Sequence, residues 1–114
     1  MKSHDFPEFI QNLPEADLPV DTVHGWLLNG ENGQVLFIQT DETTKIPEHK
    51  HGDQWGIVVE GELELTIGDK TGIYRQGDSY NIPAGTPHKA VLHKGFRALD
   101  IFADKDRYKT KSKK

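Results

Sequence analysis

The stretch Gly77-Asp78-Ser79-Tyr80-Asn81-Ile82-Pro83-Ala84-Gly85-Thr86-Pro87-His88 decides the fold. A Gly-Asp turn leads into a short strand, Pro83 and Gly85 make a tight corner, and His88 opens the next strand just after Pro87. The same texture of short strands and glycine breaks continues on both sides. Residues 23–29 and 35–39 flank a turn rich in Gly and Asn, and 55–59 precede 62–67, where polar and apolar residues alternate with period two. Residues 69–72 read as a hairpin turn, and 73–75, 79–82, 89–93 and 96–102 complete the strands. Many short strands with no long helix predict an all-β antiparallel sandwich or barrel. Parallel α/β folds are excluded, because no crossover helix is available between strands.

Before this region, residues 5–13 read as one helical segment. Asp5 and Glu8 are spaced as a capping pair, Phe6, Phe9, Ile10 and Leu13 share a face, and Pro14 ends it. The chain divides into an N-terminal extension (1–19), a barrel (20–104) and a basic tail (105–114). Its 114 residues, 34% hydrophobic and 28% charged, suit one soluble domain. The absence of cysteine removes disulfides, thiolate nucleophiles and cysteine-held metals, and leans toward a cytoplasmic location. No apolar run reaches the roughly 18 residues of a membrane helix, and Met1 to Phe9 lacks the order of a signal peptide, so no membrane partner is expected. Residues 105–114 carry six basic residues against Asp106, a balance of +5, which leaves -9 on the other 104 from the net of -4. An acidic body argues against nucleic acid as a partner, and the tail reads as a solvated terminus.

Histidine carries the chemistry. There are six: His4, His24, His49, His51, His88 and His93. His49 and His51 sit two apart in a segment that reads as strand, where alternate residues share a face about 6.6 Å apart. Gln54 follows across a Gly52–Asp53 bend that can turn its amide oxygen to the same centre. A His-x-His pair alone reads more readily as two surface histidines in a polar loop than as a metal site. The Pro83–Gly85 corner adds weight to metal binding, because in a doubled antiparallel barrel it delivers His88 to the mouth facing the first pair.

With these residues in place, the sequence resembles the cupin superfamily. That family's first motif runs Gly, five residues, His-x-His, three or four residues, Glu, six residues, Gly. Here His49-x-His51 is followed by Gln54, six residues and Gly61. The second motif runs Gly, five residues, Pro-x-Gly, two residues, His, three residues, Asn. Gly77, Pro83, Gly85 and His88 match it at every spacing. Gln54 stands where glutamate is usual and one residue closer to His51, with Asp53 as the alternative ligand, and Leu92 replaces the asparagine. The resemblance implies a double-stranded β-helix, a jelly-roll barrel, holding one divalent transition metal ion (Zn, Ni, Fe, Mn or Cu) with His49, His51, Gln54 and His88. A neutral glutamine leaves the site a charge of +2, which favours a small anionic ligand.

The resemblance also implies a pocket at the barrel mouth, with Trp26, Phe37, Trp55, Tyr80, Phe102 and Asp100 as candidate walls. Each aromatic is better suited to plain core packing than to ligand contact, because aromatics dominate core packing. Tyr80 can donate a proton near His88. Asp100, in an otherwise apolar strand, can serve as a base, although a solvent-facing edge position is the plain alternative. Asp100-Ile101-Phe102 followed by Arg107 is similar to the late segment of uronate-linearising cupins of pectin and alginate breakdown. By that likeness Asp100 is acid/base, Phe102 a wall and Arg107 a carboxylate clamp. A metal-dependent lyase or isomerase, a dioxygenase, and a non-catalytic binding or sensing module all remain open. So does a homodimer, since small cupins pair through their sheets.

Overall fold

A computed structural model describes residues 5–111. His4 and the last three residues of the basic tail lie outside it. The chain runs through α1 (Glu8–Gln11), β1 (Val23–Gly30), β2 (Gly33–Thr40), β3 (Thr44–His49), β4 (Gln54–Glu60), β5 (Glu62–Ile67), β6 (Lys70–Arg75), β7 (Ser79–Ile82), β8 (His88–Leu92) and β9 (Arg97–Phe102). Five strands form one sheet in the order β1-β2-β9-β4-β7, and four form a second in the order β3-β8-β5-β6. Every pairing is antiparallel, and consecutive strands repeatedly cross from one sheet to the other, as a jelly roll requires.

Alternation along each strand sets the inner faces. Val23, Val58, Leu63, Leu65, Tyr80, Ile82, Leu92, Phe96 and Ala98 form one buried cluster between the sheets, and Ala16, Leu27, Leu36 and Phe102 form a second. Each Val, Leu, Ile and Phe among them contributes roughly 1.5–3 kcal/mol of burial. Gly61 and Gly85, one from each motif, hold φ of +85° and +77°, which β-carbon-bearing residues resist. A Cβ on Gly61 would also sit 2.8 Å from Phe96 Cα.

The structure departs from the sequence reading in four places. The helix is a single turn, 8–11, with Pro7 as its N-cap and no side-chain cap, so Asp5 and Glu8 do not form a capping pair. Pro7 holds extended backbone there, and Phe6 is drawn away onto Trp26 and Phe37, at ring distances of 6.3 and 5.7 Å. The β5–β6 hairpin turns on Gly68–Asp69 rather than 69–72, with Ile67 opposite Lys70; Gly68 at φ +63° suits so short a loop. β3 forms despite Pro47, because it is an edge strand where a missing N–H costs no ladder bond. β3 ends at His49, so His51 stands in the bend beyond it.

The flanking segments close the open edge of β1. Ala16 N donates to Gly25 O and Leu27 N to Pro14 O, both at 2.8 Å. Asp17 N donates to Lys109 O at 2.7 Å and Lys111 N to Glu15 O at 2.9 Å, which ties the two ends of the chain together beside the barrel.

Candidate metal centre

His49 closes β3 and pairs with His88, the first residue of β8. His51 reaches the same point because the two motifs dock through their backbones. Gly85 N donates to His51 O at 2.8 Å, and Ala84 N donates to the Asp53 carboxylate at 2.8 Å. Asp53 is thereby a brace for the corner and stands outside the histidine cluster. Asp104 braces the other side, accepting from Gly52 N at 2.9 Å. A Cβ on Gly52 would lie 2.4 Å from an Asp104 carboxylate oxygen, so a larger residue there would displace that brace.

The ligand atoms of His49, His51 and His88 all lie within 4.8 Å of one another. Each ring is fixed by its Nδ1: His49 to Pro47 O at 2.9 Å, His51 to Gly52 O at 2.8 Å, and His88 to Thr86 O at 2.8 Å. A carbonyl only accepts, so each Nδ1 carries the hydrogen and each Nε2 presents a lone pair inward. His51 and His88 Nε2 stand 3.2 Å apart. Burial lowers the pKa of both rings, and the charges of Arg107 and the neighbouring imidazoles lower them further. Neutral, converging, pre-oriented imidazoles fit a divalent transition metal.

The opposite wall is built by the five-stranded sheet. Asp100 is buried, and its carboxylate accepts the Tyr80 hydroxyl at 2.6 Å and a hydrogen bond from the Gln54 side chain. Burial raises the Asp100 pKa from 3.8 to about 6, with those two hydrogen bonds holding it back. Burial, then the Asp100 charge, pushes the Tyr80 phenol well above its ordinary value. Gly56, opposite both Asp100 and Tyr80 in register, leaves their room: a Cβ there would lie 2.2 Å from Asp100 Oδ1 and 2.4 Å from the Tyr80 ring. Glutamate at position 54 would set a second carboxylate beside Asp100, whereas an amide can donate to it.

His49, His51, His88, Gln54, Tyr80, Asp100 and Phe102 line one cavity of about 90 Å³. Phe102 stands edge-on to His51 at 5.4 Å. Arg107 borders an adjoining cleft, its guanidinium 4.3 Å from the Tyr108 ring centre and 5.8 Å from that of Phe102, with its buried Nε unpartnered. Trp26 and Trp55 are not brought here. Trp26 pairs with Phe37 on the outer face under Phe6, and Trp55 is exposed beside Ile101. Tyr108, Ile38 and Ile46 join the lining without having been singled out in the sequence. Tyr108 adjoins Arg107 in a segment whose lysines read as solvated tail, and the two aliphatics carry no chemical signal.

The chain belongs to the Cupin domain family, which matches residues 34–102. It is 34% identical over 65 residues to a mannose-1-phosphate guanylyltransferase of Sinorhizobium fredii, and 34% identical over 61 residues to quercetin 2,3-dioxygenase of Bacillus subtilis. Those matches span 55% and 52% of this chain but only 13% and 18% of the relatives. An RmlC-like cupin from Shewanella frigidimarina superposes with a TM-score of 0.73 at 23% identity over 94% of both chains. KdgF from Halomonas sp. superposes at 0.69 and 22% identity, over 77% of this chain and 85% of that one. The superpositions bear on the fold alone.

Proposed function

We propose that the protein is a metal-dependent enzyme acting on a small anionic substrate, a keto/enol acid or a sugar acid, with Asp100 moving the proton. The observation that carries this is a buried carboxylate in the wall of the same cavity as three converging imidazoles. His49, His51 and His88 would hold the ion, with the Gln54 amide oxygen as fourth donor. A bound divalent ion supplies Lewis-acid polarisation of a carbonyl or carboxylate oxygen. Arg107 would clamp the substrate carboxylate, its unpartnered Nε offering a donor, and Phe102 would wall the substrate. Tyr80 directs its proton at Asp100 and so positions that carboxylate. An Asp100 pKa of about 6 suits a group that takes and returns a proton near neutrality.

Asp100→Asn tests the reading. On a panel of keto and sugar acids, the variant should lose about 10²–10⁴ in turnover while keeping its metal, measured by elemental analysis. Undiminished turnover would remove Asp100 from the proton step, and an unvarying binding profile with no turnover in either protein would leave a binding module instead. A dioxygenase is the second reading, favoured by the match to quercetin 2,3-dioxygenase. Oxygen consumption by the iron- or nickel-loaded protein would establish it. The proposal includes a homodimer through the exposed outer stripe of Leu28, Trp55, Val59 and Ile101, which sedimentation would detect.

A further inference from the structure

The metal cavity is too small for more than the reacting end of a ligand, and a larger space adjoins it. A cleft of about 440 Å³ shares Ile38, Ile46, His49 and Tyr108 with it, so the two adjoin at His49. The cleft lies between the segment that enters β1, the edge strand β3 and the returning C-terminal segment. Its floor is aliphatic: Leu18, Val20, Val23, Ile38, Ile46 and Pro47. The charged groups bordering it are Arg107 and Lys109 against Asp17, with His49 at the junction.

We infer that the ligand held at the metal is an amphiphilic carboxylate, its acid group between the histidine cluster and Arg107 and its alkyl or aryl tail in this cleft. The inference rests on the anionic reading of the site proposed above and narrows it. A polyhydroxylated sugar would find partners at the bordering Asp17, Arg107 and Lys109, but its hydroxyls against the aliphatic floor would lose their water without replacement. An apolar tail removes its own surface and that of the floor from water together. The volume is that of an ordinary small-molecule pocket, which about 300–1,000 Å³ spans. The cation at one end and the aliphatic floor beyond it match an acid with a hydrophobic body.

The test is calorimetric and needs no turnover. Acetate, butyrate, hexanoate, phenylpyruvate and galacturonate are titrated into the zinc-loaded full chain. Affinity should rise about fourfold for each methylene added to the alkyl acids, as full burial of a methylene gives. Phenylpyruvate should exceed acetate and galacturonate should not. Val20→Asn should flatten the alkyl series and leave acetate unchanged; if that variant does not fold, the series on the unaltered protein decides alone. Acetate binding with no gain along the series, or galacturonate binding tightest, overturns this inference and leaves the anionic site standing. Failure of every carboxylate to bind overturns both. A flat series together with loss of self-association in Val20→Asn would give the cleft to a second copy of the chain, and likewise overturns it.

Discussion

The two sheets supply the candidate site with different chemistry, secured in different ways. The four-stranded sheet brings His49 and His88, and each of their rings is fixed by a carbonyl two residues away in its own segment. The five-stranded sheet brings Gln54, Tyr80 and Asp100, which hold one another across strands β4, β7 and β9. One wall is oriented locally and the other by register. A change on the histidine wall should therefore remove a function and spare the barrel, while a change on the acid wall should disturb both.

The largest expected effect is on the histidine wall. His88→Ala should weaken metal binding by well over about 100-fold, beyond what loss of an outer partner costs, with a barrel spectrum unchanged by circular dichroism. Competition with a coloured chelator measures it. Next is the charge on Asp100. Its pKa is raised from 3.8 to about 6, so the folded protein binds more protons than the unfolded one across that window. Stability from this group is present below 3.8 and lost as pH rises through 6, an effect of about 3 kcal/mol for a shift of that size. His51 and His88, lowered below 6.5, act oppositely and add stability as pH rises to that value. Urea unfolding of the metal-free protein should thus show opposing trends, and Asp100→Asn should leave only the rise.

Gly56→Ala should follow, destabilising by about 1–3 kcal/mol, because its Cβ would meet both Asp100 and Tyr80. A lowered melting temperature with metal affinity retained would confirm that the acid wall alone is disturbed. Tyr80→Phe should cost the least, about 1 kcal/mol for the lost hydrogen bond. It should also shift the pH trend of Asp100 upward, since the Tyr80 bond lowers that pKa.

The same contrast governs what the sequence discloses. The histidine wall is legible because its geometry is local: Gly77, Gly85 and His88 need fixed spacings to make the corner, and Gly61 needs its positive φ. The acid wall is only partly legible. Asp100 stands out as a charge in an apolar strand, but its partners depend on a pairing in which Gly56 falls opposite both Asp100 and Tyr80. Parity along the strand does hold one signal. Once Gln54 faces inward, Trp55 must face outward, and likewise Leu27 inward puts Trp26 outside. The cleft is beyond reach of the sequence, because Leu18, Val20 and Ile46 meet only when the ends of the chain are tied together.

The docking of the Pro83–Gly85 corner onto His51 bears on how the barrel assembles. His51 and His88 lie 37 residues apart, so the full donor set exists only after a long loop has closed. An unfolded chain offers an ion little more than the His49-x-His51 pair. An ion that favours the closed set over that pair holds the loop shut, slows unfolding, and makes the measured melting temperature depend on the free metal concentration. A site holding such an ion would thus also be a clasp, its grip read in a melting temperature that rises with free metal.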